Sequence, residues 1–217
     1  MKVVIAGGHG QIAQHIERQL AKRGDEAVGL VRNPDHVGEL EALGAGAVVI
    51  DLESATAAEL AEHLTGADAV VFAAGAGPGS GAARKDTVDR GAAVLLADAA
   101  EQAGVRRYVM ISARGAATGG QGGDDVFSAY LDAKKAADDD LMARDLDWTI
   151  IRPGRLTDDP ATGRVQLSSD PDSGEVTRED VAAVVVAVLD TPGTAGVVTE
   201  LVAGDTEITE AVAALAR

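Results

Sequence analysis

At 217 residues the chain is long enough for one α/β domain with a sizeable core and too short for two full ones. A formal charge of −16 excludes the basic surface that nucleic acid requires, and the absence of cysteine excludes disulfides, thiolate catalysis and cysteine-ligated metal. No apolar run approaches membrane-spanning length, and the first residues enter a strand directly without a signal peptide; a cytoplasmic protein with no membrane or nucleic-acid partner is expected.

The first element is an apolar run, Val3 to Ala6, short enough for a buried parallel strand. It stops at Gly7-Gly8-His9-Gly10 and a helical pattern begins at once, with apolar Ile12, Ile16 and Leu20 and a stop at Gly24. The turn reads as G-x-G-x-x-A from Gly8 and as G-x-x-G-x-x-A from Gly7. One glycine makes the tight turn, one lets the backbone approach a pyrophosphate, and Ala13 lets the helix pack on the strand. The unpaired N–H groups of the helix start would receive the diphosphate.

The second strand, 26–31, ends in Arg32-Asn33-Pro34. An NAD-preferring site wants an acid near the end of this strand to accept from the ribose 2′-hydroxyl. No acid stands there. Arg32 does, and a guanidinium pairs with a 2′-phosphate in a bidentate way, so NADP(H) is the expected cofactor; the alternative is a surface arginine in a turn.

Strand-like and helical runs then alternate. A strand at 47–50 ends in Asp51-Leu52, a helix follows near 57–64, and a strand at 69–74 runs into the glycine-rich segment 75–81. A helix near 88–103 leads to a strand at 108–112, and a helix near 129–144 leads to a strand at 148–152 followed by Pro153-Gly154. Such alternation predicts a doubly wound parallel sheet of the Rossmann type with helices on both faces and right-handed crossovers. Asp138-Asp139-Asp140 reads as the solvated side of a helix. After Gly154 the rhythm changes to strands near 163–168 and 174–176, a helix capped by Thr177 with Glu179 and Asp180 in its first turn, a strand at 197–202 and a helix from about 207. This tail, 155–217, is expected to be a small substrate-side extension of a single domain spanning 1–217. The four histidines, His9, His15, His36 and His63, show no metal spacing, and no metal site is expected.

Taken together, Gly7 to Gly10, Val31-Arg32-Asn33, Asp51-Leu52, Val88-Asp89-Arg90-Gly91-Ala92, Val109 to Ser112, Tyr130-x-x-x-Lys134 and Trp148 to Leu156 resemble the atypical short-chain dehydrogenase/reductases, in their NmrA-like, NAD(P)-binding branch. The resemblance covers essentially the whole chain. It implies that Gly7, His9, Gly10, Gln11 and Ile12 hold the diphosphate, with His9 standing where threonine is common and its side chain expected to face solvent. It implies that Arg32 holds the adenosine phosphate, that Asp51 and Leu52 border the adenine, and that Ala73, Ala74 and Gly75 border the ribose. Ser112, Tyr130 and Lys134 would be the catalytic triad, and Pro153, Gly154, Arg155 and Leu156 would line the nicotinamide.

The chemistry of that triad is consistent with its spacing. Tyr130 and Lys134 share a helix face. An ammonium beside a phenol lowers its pKa toward the range useful for passing a proton, and Ser112 at the end of a strand could polarise a carbonyl. Against this stands a packing role for Tyr130 with Lys134 at the surface, where Lys135 is an equal candidate. The segments 75–81 and 113–125 would form a lid with Phe127, or be ordinary connections. Arg155 would meet an anionic substrate or the cofactor, or be exposed. Trp148 reads as a core or interface residue.

Three functions are therefore expected to compete. The first is an NADP(H)-dependent oxidoreductase acting on a small carbonyl or alcohol with Tyr130 as acid/base. The second is a flavin- or tetrapyrrole-type reductase that does not need Tyr130. The third is a non-catalytic protein that senses the NADPH/NADP ratio. The expected partner is a small-molecule substrate, with the chain a monomer or homodimer.

Overall fold

The computed structural model describes the whole chain except residues 78, 124 and 170–172. Strands β1 (Lys2–Ala6), β2 (Glu26–Val31), β3 (Gly46–Val49), β4 (Ala69–Phe72), β5 (Arg107–Ile111), β6 (Asp147–Pro153) and β10 (Val197–Ala203) are parallel and lie in the order β3-β2-β1-β4-β5-β6-β10. Antiparallel β8 (Arg164–Ser168) and then β11 (Thr206–Glu207) extend the β10 edge. A separate pair joins β7 (Arg155–Thr157) to β9 (Glu175–Thr177). This is a Rossmann α/β fold. The strand order reverses between β1 and β4, and such a reversal opens a crevice at the carboxyl ends of the strands.

Alternation along the strands builds a core on each face. Val3, Ile5, Val71, Val109 and Ile151 point to the side covered by α1 (Gln11–Lys22), α7 (Arg178–Leu189) and α8 (Ile208–Ala213). Val4, Ala6, Val70, Phe72, Tyr108 and Ile150 point to the side covered by α3 (Ala57–Leu64), α5 (Ala92–Ala103) and α6 (Val126–Met142). Trp148 packs half-buried on the second of these clusters. Two-sided burial explains why the strands read as near-continuous apolar runs. Among the described residues no helix is long and apolar enough to cross a membrane.

Local signals set several boundaries. Thr56 and Glu59 form a reciprocal capping box on α3. Thr177 caps α7 by accepting from the Asp180 N–H at 3.0 Å, and Asp180 in turn accepts from Thr162 N and Gly163 N, tying the start of β8 to that helix. The helix expected from about residue 88 begins earlier. A short turn, α4 (Ala82–Arg84), runs through a π-helical segment at Lys85–Gly91 into α5. Widening of this kind recurs at functional sites, and here it carries Asp89 into the interior.

Candidate functional site

Two cavities lie along the carboxyl edge of the sheet. The first, of about 410 Å³, spans the ends of β1, β2, β3 and β4 and includes Gly7, His9, Gly10, Arg32, Asp51, Leu52, Ala73, Ala74 and Gly75. The opening loop is shaped for a close backbone approach. Gly7 has φ +81°, and a Cβ there would meet Ala74 Cα at 2.7 Å. Gly8 donates to Leu30 O at 3.0 Å, and Gly10 donates to Gly7 O at 2.8 Å. Gly10 is the N-cap of α1 and offers no side-chain cap, so the N–H groups of Gln11 and Ile12 remain available at the positive end of the helix. The side chains of Gln11 and Ile12 themselves do not line the cavity; Ile12 packs on the core. This cradle fits a dinucleotide diphosphate bound through backbone groups.

The end of the cavity beside β2 and β3 holds more charge than the local sequence suggested. Arg32 is there, but Glu53 reaches in from beyond β3 and accepts from Arg32 at 3.1 Å, Arg84 at 2.8 Å and the Thr87 hydroxyl at 2.7 Å. The Thr87 hydroxyl and the two guanidinium groups hold its carboxyl below the usual range. The His9 side chain stays partly exposed, as expected, but it is not free. Its ring stacks on His36 at 3.4 Å between centroids, and its Nε2 lies 2.9 Å from Glu39 Oε2. Gln14 braces the loop from below by donating to His9 O at 2.9 Å.

Beneath this loop lies Glu17 of α1, fully buried with both carboxyl oxygens unpartnered among the described residues. It fills space left by Gly8 and Gly29, where added Cβ atoms would fall 2.9 Å and 2.5 Å from its Oε1. Burial pushes its pKa up to about 8.

The second cavity, of about 740 Å³, lies at the ends of β5 and β6 and is lined by Ser112, Tyr130, Pro153, Gly154, Arg155 and Leu156 together with Ile111, Arg114, Phe127, Leu131 and Glu200. Tyr130 and Phe127 also line a smaller neighbouring cavity beside Gly79, Ser80 and Lys85. Phe127 is 65% exposed, with its ring 6.1 Å from that of Tyr130. Arg155 lies at the surface and pairs with Glu175. Arg114 pairs with Glu200 at 3.2 Å. Segment 113–125, apart from residue 124, is folded onto the start of α6: Gly120 N donates to Asp132 at 2.8 Å, and Asp125 caps the helix through Phe127 N and Ser128 N. Residues 78 and 124, within the two glycine-rich segments, lie outside the described residues.

Two sequence expectations fail here. Lys134, not Lys135, points inward; Lys135 pairs with Asp139 near the surface. Lys134, however, does not act on Tyr130 as its spacing suggests. Its ammonium lies 5.9 Å from the Tyr130 ring centre, pairs with buried Asp89 at 3.3 Å and donates to Ile111 O at 3.4 Å. The Tyr130 pKa is raised above its ordinary value, by burial first and then by the Asp89 and Asp138 carboxylates. The Lys134 ammonium is engaged by Asp89 rather than by the phenol oxygen.

The second correction concerns Asp138, which is not solvated. It lies one turn beyond Lys134 on the same face, is fully buried, and accepts from Arg152 Nε at 2.9 Å. Burial raises its pKa against the opposing pull of Ser112, Arg152 and Lys134. Ser112 is buried beside it, its hydroxyl facing the carboxyl without a well-aligned hydrogen bond. Asp89 also accepts from Ala76 N at 3.2 Å, holding the segment after β4 against the helix that carries Lys134. Asp89, Asp138, Arg152, Lys85, Glu53 and Arg84 were not read as site residues in the sequence. The four-residue spacing Tyr130–Lys134–Asp138 was the one signal that could have found Asp138.

With this geometry in view, comparisons with known proteins are informative. A profile described as NAD(P)H-binding matches residues 7–192. The chain is similar to the uncharacterized sugar epimerase YhfK of Bacillus subtilis, 37% identical over 97% of this chain and 98% of that protein. Among solved structures it is similar to one from Bacillus halodurans named as an NAD-dependent epimerase/dehydratase, with a TM-score of 0.91 and 36% identity over 99% of this chain and 100% of that one. It is also similar to the oxidoreductase ylbE of Lactococcus lactis, with a TM-score of 0.88 and 30% identity over 99% and 96% of the two chains.

Proposed function

The chain belongs to the NAD(P)H-binding family, and from that premise we propose that it is an NADP(H)-dependent reductase of a small carbonyl compound. The observation that carries this reading is the placement of the second cavity, with Tyr130 and Ser112 in its wall, beside a diphosphate cradle that ends at two arginines. Gly7, Gly10 and the N–H groups of Gln11 and Ile12 would hold the diphosphate. Arg32 and Arg84 would hold a 2′-phosphate, and Pro153 to Leu156 would flank the nicotinamide.

When bound in this cradle, NADPH would supply the hydride for the carbonyl carbon. Tyr130 would supply the proton that the resulting alkoxide needs, while the Ser112 hydroxyl stays turned toward the Asp138 carboxyl behind it. A phenol held protonated suits this direction. It also weighs against the epimerase chemistry in the relatives' names, if that began with a base removing a hydroxyl proton. Lys85, whose ammonium donates to Gly77 O, lies over the Tyr130 ring face at 5.2 Å from its centre and would hold that ring in place. Lys134 and Asp89 act as a neutral pair that positions the helix face.

The raised pKa of Tyr130 and the capture of Lys134 by Asp89 also favour a second reading. In it the acceptor is a conjugated ring, such as an isoalloxazine, that takes hydride and then a proton from water, and Tyr130 is dispensable.

Replacing Tyr130 by Phe separates the two. NADPH oxidation is followed with panels of carbonyl and flavin acceptors, alongside NADPH binding. Loss of carbonyl turnover by about 10²–10³ with unchanged NADPH affinity is expected. Full turnover with a flavin in the variant would replace the first reading by the second. Failure of the wild-type protein to oxidise NADPH with any acceptor would leave the sensing role.

A further inference from the structure

The adenosine end of the first cavity contains a feature that a 2′-phosphate pocket built on arginine alone would not need. His9 and His36 lie face to face, 3.4 Å between ring centres and 9° from parallel. Both line the cavity, beside Arg32 and Asn33. The three groups are held in series. Glu39 fixes the His9 ring through Nε2 at 2.9 Å, and His9 supplies the flat surface on which His36 rests. No hydrogen bond engages either ring nitrogen of His36 among the described residues, so its edge is available to a ligand.

Charge bookkeeping in the pocket gives that edge a task. Arg32 and Arg84 share the Glu53 carboxylate, and Asp51 lines the same cavity. Two cations set against two carboxylates leave no net positive charge for a phosphate that brings close to two negative charges at neutral pH. Asn33 is partly engaged, since its side chain accepts from Asp35 N at 3.1 Å. An imidazole can donate a hydrogen bond when neutral and adds a positive charge when protonated, and an anionic neighbour favours the protonated form.

We propose that His36, held flat against His9, is a specificity-determining residue that donates an N–H to the cofactor's 2′-phosphate and so sets preference for NADP(H) over NAD(H). His9 and Glu39 are positioning residues for it. The proposal rests on the reading of the first cavity as an NADP(H) site, and it extends recognition of the phosphate beyond Arg32 to the turn that follows it.

The test is equilibrium binding of NADPH and NADH to the full chain, followed by the change in nicotinamide fluorescence. The variants are His36→Phe, which keeps a flat ring and removes the N–H, and His36→Ala, which removes both. His36→Phe is expected to weaken NADPH about tenfold, the size of one hydrogen bond to a charged group, and to leave NADH unchanged. His9→Ala is expected to give a smaller loss, again confined to NADPH. Retained NADPH affinity in His36→Phe would overturn the proposal, because the ring would then act only as a surface for stacking. Equal weakening of both dinucleotides would overturn it too. If the wild-type protein does not prefer NADPH, the NADP(H) reading itself falls and this inference with it. If wild type prefers NADPH and His36→Phe keeps that preference, only the inference falls. Unchanged NADH affinity shows in the same titration that each variant is folded.

Discussion

On the β1–β4 side of the carboxyl edge, the groups facing the cleft are backbone N–H groups, two guanidinium groups, two imidazoles and the carboxylates of Asp51 and Glu53. On the β5–β6 side they are the Tyr130 phenol, the Arg114–Glu200 pair and Arg155, backed by two buried ion pairs, Lys134–Asp89 and Arg152–Asp138. On the first side the charged side chains pair at the surface, Glu53 with Arg32 and Arg84, and remain partly exposed; the Arg32 side chain is 58% accessible. On the second side Lys134–Asp89 and Arg152–Asp138 are paired in the interior, and burial holds the Tyr130 pKa above its ordinary value. The two cavities thus lie in different electrostatic surroundings on one sheet edge.

Four perturbations would break or sharpen that contrast. The largest effect is expected at the β6 pair. Arg152→Met strands the Asp138 carboxyl in the interior and should cost about 3–5 kcal/mol in urea unfolding, with much of it recovered in the Arg152→Met/Asp138→Leu double variant. A loss below about 1 kcal/mol would mean that the pair is not a buried neutralising element.

Next comes the carboxyl under the binding loop. Glu17 is protonated in the folded chain up to about pH 8, whereas an exposed glutamate releases its proton near ~4.3. Between these values the unfolded chain binds fewer protons than the folded one, so stability is full below that window and falls as pH rises through it. Glu17→Met should remove that fall and be more stable at pH 8 by of order 3 kcal/mol. A wild-type stability curve that is flat from about pH 4.5 to 8 would show that Glu17 finds a partner.

A smaller effect is expected on the binding loop itself. Gly7→Ala places a Cβ against Ala74 and demands φ +81° of an L side chain; NADPH affinity should fall about a hundredfold with the fold retained. Normal affinity in a titration would remove the loop from the site. The smallest effect is at Arg32. Arg32→Ala should weaken NADPH about tenfold and spare NADH, because Arg84 remains. Equal losses for the two dinucleotides would place Arg32 on a group that they share.

Much of the architecture was readable from the chain because its causes are local. The Gly7–Gly10 turn, the Thr177 cap and the two-sided apolar strands each depend on residues within a few positions of one another, and each is found where those residues stand. The π-helical segment before α5 was not readable, since no residue type in 85–91 demands it; packing of Asp89 against Lys134 and Ala76 accompanies it. The acidic triplet misled for a related reason. Three aspartates in a row look solvated, yet helical periodicity turns Asp138 inward and leaves Asp139 exposed.

The sequence by itself determined the order of strands and helices, the loop that can cradle a diphosphate, and the helix face shared by Tyr130 and Lys134, because glycine conformation, capping and periodicity act over short spans of chain. Tertiary structure alone decided which charges neutralise which: Glu53 with Arg32 and Arg84, Asp89 with Lys134, Asp138 with Arg152. Coulomb attraction and desolvation depend on distance and burial in space, and residues far apart in the chain carry no local mark of either. For that reason burial, with Asp89 and Asp138 nearby, leaves the Tyr130 phenol harder to ionise although a lysine stands one helical turn away.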